Sequence, residues 1–205
     1  MTPLAFLPGA GGRASFWRPV AERLSDLAEA HRFAWPGFGE CPPDAAVRSL
    51  TDLHAWLLAR LPPGRSHVVA QSMGGVLAAR LAIEHPERVA RLVLAATSGG
   101  VDVRRHGAVD WRPEYRASLS EAPAWFVDDR TDLTERLGEI RAPTLLLWSD
   151  ADPVSPLAVG RFLEERIPDA RLVLVPGGSH AFAEERADDV ARAIREHLEA
   201  SRGQA

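Results

Sequence analysis

Six short apolar runs are strung along the chain with longer helical patterns between them: LAFLP (4–8), HRFAWP (31–36), HVVAQ (67–71), RLVLAAT (91–97), PTLLLWS (143–149) and RLVLVPG (171–177). Each is nearly continuous in its hydrophobicity rather than alternating, which is how strands buried on both faces of a parallel sheet read. Parallel strands need crossover connections, and the intervening segments supply them as amphipathic helices. The fold class that follows is α/β: a mostly parallel sheet of about six strands sandwiched by helices, in a single domain.

The helical segments have recognisable faces. Phe16, Trp17, Val20, Leu24 and Leu27 recur at helical spacing over 15–27. Ser49 is placed to cap a helix over 49–61 whose buried stripe is Leu50, Leu53, Leu57 and Leu61. A further helix spans 73–85, one over 156–166 opens with Ser155 as cap and Pro156 in its first turn, and Ala187, Val190, Ala191, Ile194 and Leu198 form the stripe of a helix over 183–199. Residues 99–140 are longer than one crossover requires and mix aromatic with charged residues; they read as an inserted, largely helical lid.

Composition narrows the partners. The net charge of −4 comes with scattered basic residues, so neither nucleic acid nor an anionic membrane is expected. No apolar stretch approaches the ~20 residues of a membrane span, and the first residues carry no signal-peptide pattern. The single cysteine, Cys41, permits no intrachain disulfide. A cytoplasmic protein acting on a small molecule is the expectation, with the oligomeric state left open. No metal-ligand cluster and no dinucleotide fingerprint is present, so no metal or cofactor is expected.

The chemistry is concentrated at the corner after the third run. Ala70-Gln71-Ser72-Met73-Gly74 is close to the nucleophile-elbow pattern G-x-S-x-G, with alanine in the first position. Small residues two before and two after the serine let strand and helix close up around a strained backbone, and the helix start offers unpaired N–H groups to a developing negative charge. Taken alone, Ser72 also reads as a cap for the helix that follows, though the strand–turn–helix context favours the nucleophile.

Four further stretches carry a resemblance to the α/β-hydrolase superfamily: FLPGAGGRASFW (6–17), WPGFGEC (35–41), LLLWSDADPVSP (145–156) and VLVPGGSHAF (173–182). The resemblance implies a Ser-Asp-His triad in that chain order, with Ser72 as nucleophile, His180 as base and Asp152 as the acid, Asp150 being the alternative. It implies the backbone N–H groups of Ala10 and Met73 as oxyanion donors. The usual histidine before Gly9 is replaced by Pro8, and an opening antiparallel hairpin is not expected here. Phe16, Trp17, Trp111, Trp125 and Phe126, with Tyr115, are candidates to line an acyl pocket. The expected activity is hydrolysis of a small carboxylic ester, or of a lactone or thioester, through an acyl-enzyme. The alternatives are a triad-based lyase like those of menaquinone synthesis, a cofactor-free perhydrolase, and a ligand-binding protein of the same fold with little turnover.

Overall fold

The computed structural model describes residues 1–39, 41–118 and 123–200. Six strands form one sheet: β1 (Leu4–Leu7), β2 (Ala30–Arg32), β3 (Ser66–Gln71), β4 (Val89–Ala95), β5 (Thr144–Trp148) and β6 (Ala170–Leu174). Their order is β2-β1-β3-β4-β5-β6 and every pairing is parallel. The helices are α1 (Arg18–Arg23), α2 (Leu50–Leu58), α3 (Met73–Glu84), α4 (Arg112–Ser118), α5 (Ala124–Asp128), α6 (Leu157–Arg166), α7 (Phe182–Glu185) and α8 (Ala187–Glu199).

The inner strands are buried on both faces, as their continuous apolar runs require. Alternate residues feed two cores. Leu7, Ala70, Leu94 and Leu146 pack against α2, α3 and α6 on one face, where Leu57, Leu77 and Leu163 are fully buried. Phe6, Val69, Val93 and Leu147 pack against α1, α7 and α8 on the other, with Val20, Phe182 and Ile194. The edge strands differ: β2 is three residues long and shares only His31 and Arg32 with the expected run, and no residue of β6 is fully buried. An edge strand has solvent beside it and no second neighbour, so its apolar run overstates its burial.

Local details depart from sequence expectation in physically clear ways. Ser49 caps α2 as expected, accepting from the Asp52 N–H at 3.1 Å. Pro156, not Ser155, holds the N-cap position of α6, because the Ser155 hydroxyl donates to the Thr97 carbonyl at 3.0 Å. The helix expected over 183–199 is broken at Arg186, whose φ of −117° and ψ of 42° separate α7 from α8. The stretch expected as one helix over 15–27 begins as a 3-10 turn, Ala14–Trp17, and becomes α-helical only from Arg18 to Arg23. Residues 99–140 hold α4, α5 and two 3-10 turns, Val103–His106 and Thr134–Glu139; residues 119–122 of that segment lie outside the described residues.

The strand order reverses direction at β1. The chain passes from β1 out to β2, then crosses back to β3 on β1's other side. Loops leaving the carboxyl ends of β1 and β3 therefore diverge and leave a crevice, the usual ligand position in an open α/β sheet.

Two buried histidines link this fold to pH. His54 on α2 and His197 on α8 are each 4% exposed, and burial pulls both down to about 4. The carboxylate of Glu84 opposes the shift at His54, while Arg80 and His85 add to it. Arg91 and Arg171 add to it at His197. Because both folded values lie below the ordinary 6.5, the unfolded chain takes up protons first as pH falls. Stability from these groups is whole above about pH 6.5 and is lost progressively down to about 4. The urea midpoint is expected to be lower at pH ~5 than at pH ~7.5, and His54→Gln is expected to flatten that dependence.

Candidate active site

The end of β3 turns into α3 at Ser72, whose backbone lies at φ 51° and ψ −121°. A non-glycine residue in this region costs on the order of 1–3 kcal/mol and persists only where its neighbours hold it. Here they do. The Ser72 N–H donates to the Ala95 carbonyl at 3.1 Å, and the Ser72 carbonyl accepts from the Thr97 hydroxyl at 2.6 Å and the Gly75 N–H at 2.9 Å. Gly74 is needed for the close approach: a Cβ there would lie 2.5 Å from the Pro8 carbonyl oxygen and 2.8 Å from that of Leu7. The strained corner is thus clamped between the loops after β1 and β4.

The imidazole of His180 reaches this corner from the loop after β6. Its Nε2 lies 3.0 Å from Ser72 Oγ and its Nδ1 lies 2.7 Å from Asp152 Oδ2. The Asp152 side chain is completely buried, and its other oxygen accepts from the N–H groups of Val154 at 2.8 Å and Ser155 at 3.2 Å. A buried carboxylate with both oxygens engaged is held in one orientation. It takes the Nδ1–H of the neutral ring, which leaves Nε2 as the acceptor for the serine hydroxyl. The alternative acid, Asp150, is exposed and accepts from the Gly177 N–H at 2.8 Å, so it ties the loop after β5 to the loop after β6.

Ala10 and Met73 both border the cavity above Ser72, and among the described residues neither backbone N–H has an acceptor. Met73 is the first residue of α3, where an N–H is left unpaired by helix geometry. Gly9 brings the loop after β1 against the serine: a Cβ on it would lie 3.0 Å from Ser72 Cβ. Two free N–H groups beside a serine oxygen are the arrangement that can hold a developing oxyanion.

The cavity measures about 870 Å³. Phe16, Trp111, Tyr115 and Phe126 are in its wall. Trp17 and Trp125 are not, which corrects the expectation from sequence. Trp17 is fully buried in the core beside Phe6, with its indole N–H on the Leu7 carbonyl at 2.9 Å. Adjacent residues on a tight turn point to different sides, so Phe16 meets the cavity and Trp17 meets the sheet. Trp125 packs edge-on to Phe38, its ring centre 5.6 Å away, behind the cavity wall.

Two residues beyond those expected, Gln71 and Thr97, complete the site together with a further contact of Tyr115. The Gln71 side-chain amide donates to the His180 carbonyl at 3.1 Å, so the residue before the nucleophile steadies the loop bearing the base. Thr97 holds the Ser72 carbonyl. The Tyr115 hydroxyl donates to the Ala10 carbonyl at 3.0 Å, joining α4 to the loop after β1, and burial pushes its pKa up to about 12. The only advance signal for Gln71 and Thr97 is that each is a polar residue closing an otherwise apolar run.

With this geometry established, comparison with known proteins decides the family. A profile of the alpha/beta hydrolase fold matches residues 2–129, and a second alpha/beta hydrolase family profile matches residues 106–193. The chain belongs to the alpha/beta hydrolase family. This hydrolase is 29% identical to a pimeloyl-[acyl-carrier protein] methyl ester esterase from Chromobacterium violaceum, over 96% of this chain and 94% of that one. It is 30% identical to a poly(3-hydroxyalkanoate) depolymerase from Ectopseudomonas oleovorans, over 100% of this chain and 87% of that one. Among solved structures, a thermophilic esterase from Thermogutta terrifontis superposes with a TM-score of 0.80 at 25% identity, covering 97% of this chain and 89% of that chain. Among the described residues, no helix of the hydrolase is long and apolar enough to cross a membrane.

The two aspartates are expected to separate cleanly. Asp152→Asn presents an amide where the Nδ1–H needs an acceptor and favours the wrong tautomer, slowing reaction at Ser72 by roughly 10³–10⁴-fold. Asp150→Asn keeps an acceptor for Gly177 and is expected to stay within a few-fold of the native rate. Rates of inactivation by a fluorophosphonate check both.

Proposed function

We propose that this protein is a serine hydrolase that cleaves a small carboxylic ester by way of an acyl-enzyme. One observation carries the reading: Ser72 Oγ, His180 and the buried Asp152 form an unbroken hydrogen-bonded chain, with contacts of 3.0 and 2.7 Å, beside two unpaired backbone N–H groups. The esterase relatives support the reaction class.

In this mechanism His180 Nε2 takes the hydroxyl proton as Ser72 Oγ attacks the ester carbonyl, and the carbonyl oxygen becomes an alkoxide held by the Ala10 and Met73 N–H groups. Asp152 stabilises the imidazolium without taking its proton. The imidazolium then protonates the departing alcohol. A water molecule enters, gives a proton to His180 and attacks the acyl carbon; collapse of the second alkoxide expels Ser72 Oγ, which regains its proton. The described part of the segment 99–140 acts as a lid over the cavity, with Trp111, Tyr115 and Phe126 forming its apolar inner surface. The strained backbone at Ser72 belongs to the mechanism, because it places Oγ beyond the strand end with its rotamer fixed before substrate arrives.

A fluorophosphonate probe is expected to label Ser72 alone, with labelling abolished by Ser72→Ala and slowed at least ~10⁴-fold by His180→Ala. Hydrolysis of p-nitrophenyl butyrate is expected to fall in step. Absence of labelling, or labelling that survives in His180→Ala at the native rate, overturns the reading in favour of a binding protein.

A further inference from the structure

Two arginines in the cavity wall share one acceptor. Arg112, in the first turn of α4, donates from Nε to the Val127 carbonyl at 3.1 Å, and Arg130, after α5, donates from Nη1 to the same oxygen at 3.0 Å. The two nitrogens are thus no farther apart than those two bonds laid end to end. A carbonyl carries no net charge, so it gathers the guanidinium groups without neutralising them. Among the described residues, the other hydrogen bond of Arg130 runs to the Asp129 carbonyl at 2.7 Å, again a neutral acceptor. Among the described residues, the carboxylate paired with Arg112 is the half-exposed Asp110, at 3.7 Å.

The acidic residues that share this wall make their hydrogen bonds to partners other than Arg112 and Arg130. Asp129 accepts from the Thr131 N–H at 3.0 Å and the Thr131 hydroxyl at 3.1 Å. Asp132 accepts from the Thr134 N–H at 2.9 Å. Asp102 is bound to Arg104 through two hydrogen bonds, of 3.0 and 3.1 Å. Like charges held this close repel unless an anion sits between them. Burial, and next the charge of Arg130, pull the Arg112 pKa below its ordinary value, against the opposing pull of Asp110 and Asp102. The Arg112 guanidinium also lies 4.9 Å from the centre of the Trp111 ring, which helps fix its plane. Trp111 stacks on Phe126 at 5.3 Å, and Tyr115 closes the aromatic cluster at 5.4 Å from each.

We propose that Arg112 and Arg130 form an anion subsite in the substrate cavity, and that the substrate is an ester with a second, free carboxylate on an apolar stem: a monoester of a dicarboxylic acid. The proposal rests on the esterase reading above for the reaction and adds the substrate class. Two convergent guanidinium groups match a planar carboxylate, and the aromatic cluster beside them suits the methylene stem.

The test compares the monomethyl esters of succinic, glutaric and adipic acid with neutral methyl esters of the same acyl length. At least one acidic ester is expected to exceed its neutral counterpart in kcat/KM by about tenfold. Arg130→Gln is expected to lower that ratio by about tenfold, mainly through KM, with Arg130→Lys retaining part of it. Arg112→Gln is expected to act in the same direction, and thermal unfolding of each variant shows whether it is folded. Calorimetric titration of the Ser72→Ala protein with the same monoesters reads the subsite without turnover; binding is expected, weakened by Arg130→Gln. A neutral-ester preference throughout the series, or an acidic preference unaltered in Arg130→Gln, overturns the subsite while fluorophosphonate labelling of Ser72 still upholds the esterase. Arg130-dependent binding to Ser72→Ala without labelling of the native protein does the reverse.

Discussion

The backbone of Ser72 is held in a conformation it would not adopt alone, and the rest of the site depends on that restraint. A relaxed residue at the end of β3 would continue the strand or start the helix with its side chain against the core. The positive φ turns the side chain out over the carboxyl edge of the sheet. The restraint is collective: Ala95 and Thr97 grip the serine's own amide and carbonyl, and Gly74 lets the loop after β1 close against the start of α3. That same closure brings Gly9 and Ala10 beside the hydroxyl. The strain at Ser72, the position of its hydroxyl and the approach of the Ala10 and Met73 N–H groups are therefore consequences of one packing arrangement, located where the strand order reverses.

His180 and Asp152 are positioned by a second set of contacts that reaches the same edge from the other half of the sheet. Asp152 is held by the backbone of the turn that follows it, and Asp150 bridges the loops after β5 and β6. Ser149 adds to that bridge by donating to the Gly178 carbonyl at 2.7 Å. Gln71 then ties the loop carrying His180 back to the nucleophile's strand. The imidazole thus sits between two loops whose spacing is set by hydrogen bonds, so little reorganisation is needed when charge moves onto it.

The strand–helix alternation was legible in the sequence because doubly buried parallel strands have to be continuously apolar, and the inner four strands obey this. The reading was poorest where solvent or a tertiary partner intervenes: β2 and β6 at the edges, the break at Arg186, and Ser155, whose hydroxyl serves Thr97 rather than its own helix. Ser72 was singled out by the elbow pattern, and Asp152 and His180 by the resemblance to the α/β-hydrolase superfamily; the structure brings the three side chains within hydrogen-bond distance. The pocket was only partly legible. Phe16 and Trp17 are neighbours of the same chemical kind, and nothing in their spacing says which one faces the cavity; the geometry of a 3-10 turn decides it. The pairing of Arg112 with Arg130 on a single carbonyl depends on how α4 and α5 pack, which no local pattern encodes.

The central claim is that the strained corner aims an oxygen at a reacting carbonyl held by two backbone donors. A crystal structure of the protein inactivated by a small organophosphonate measures this directly. The account predicts a tetrahedral phosphorus on Ser72 Oγ with its non-ester oxygen about 2.7–3.1 Å from the amide nitrogens of both Ala10 and Met73, and His180 Nε2 turned to the leaving-group side. A phosphoryl oxygen facing solvent with both amides unengaged, or an adduct that forms only after Ser72 relaxes to a negative φ, would contradict it.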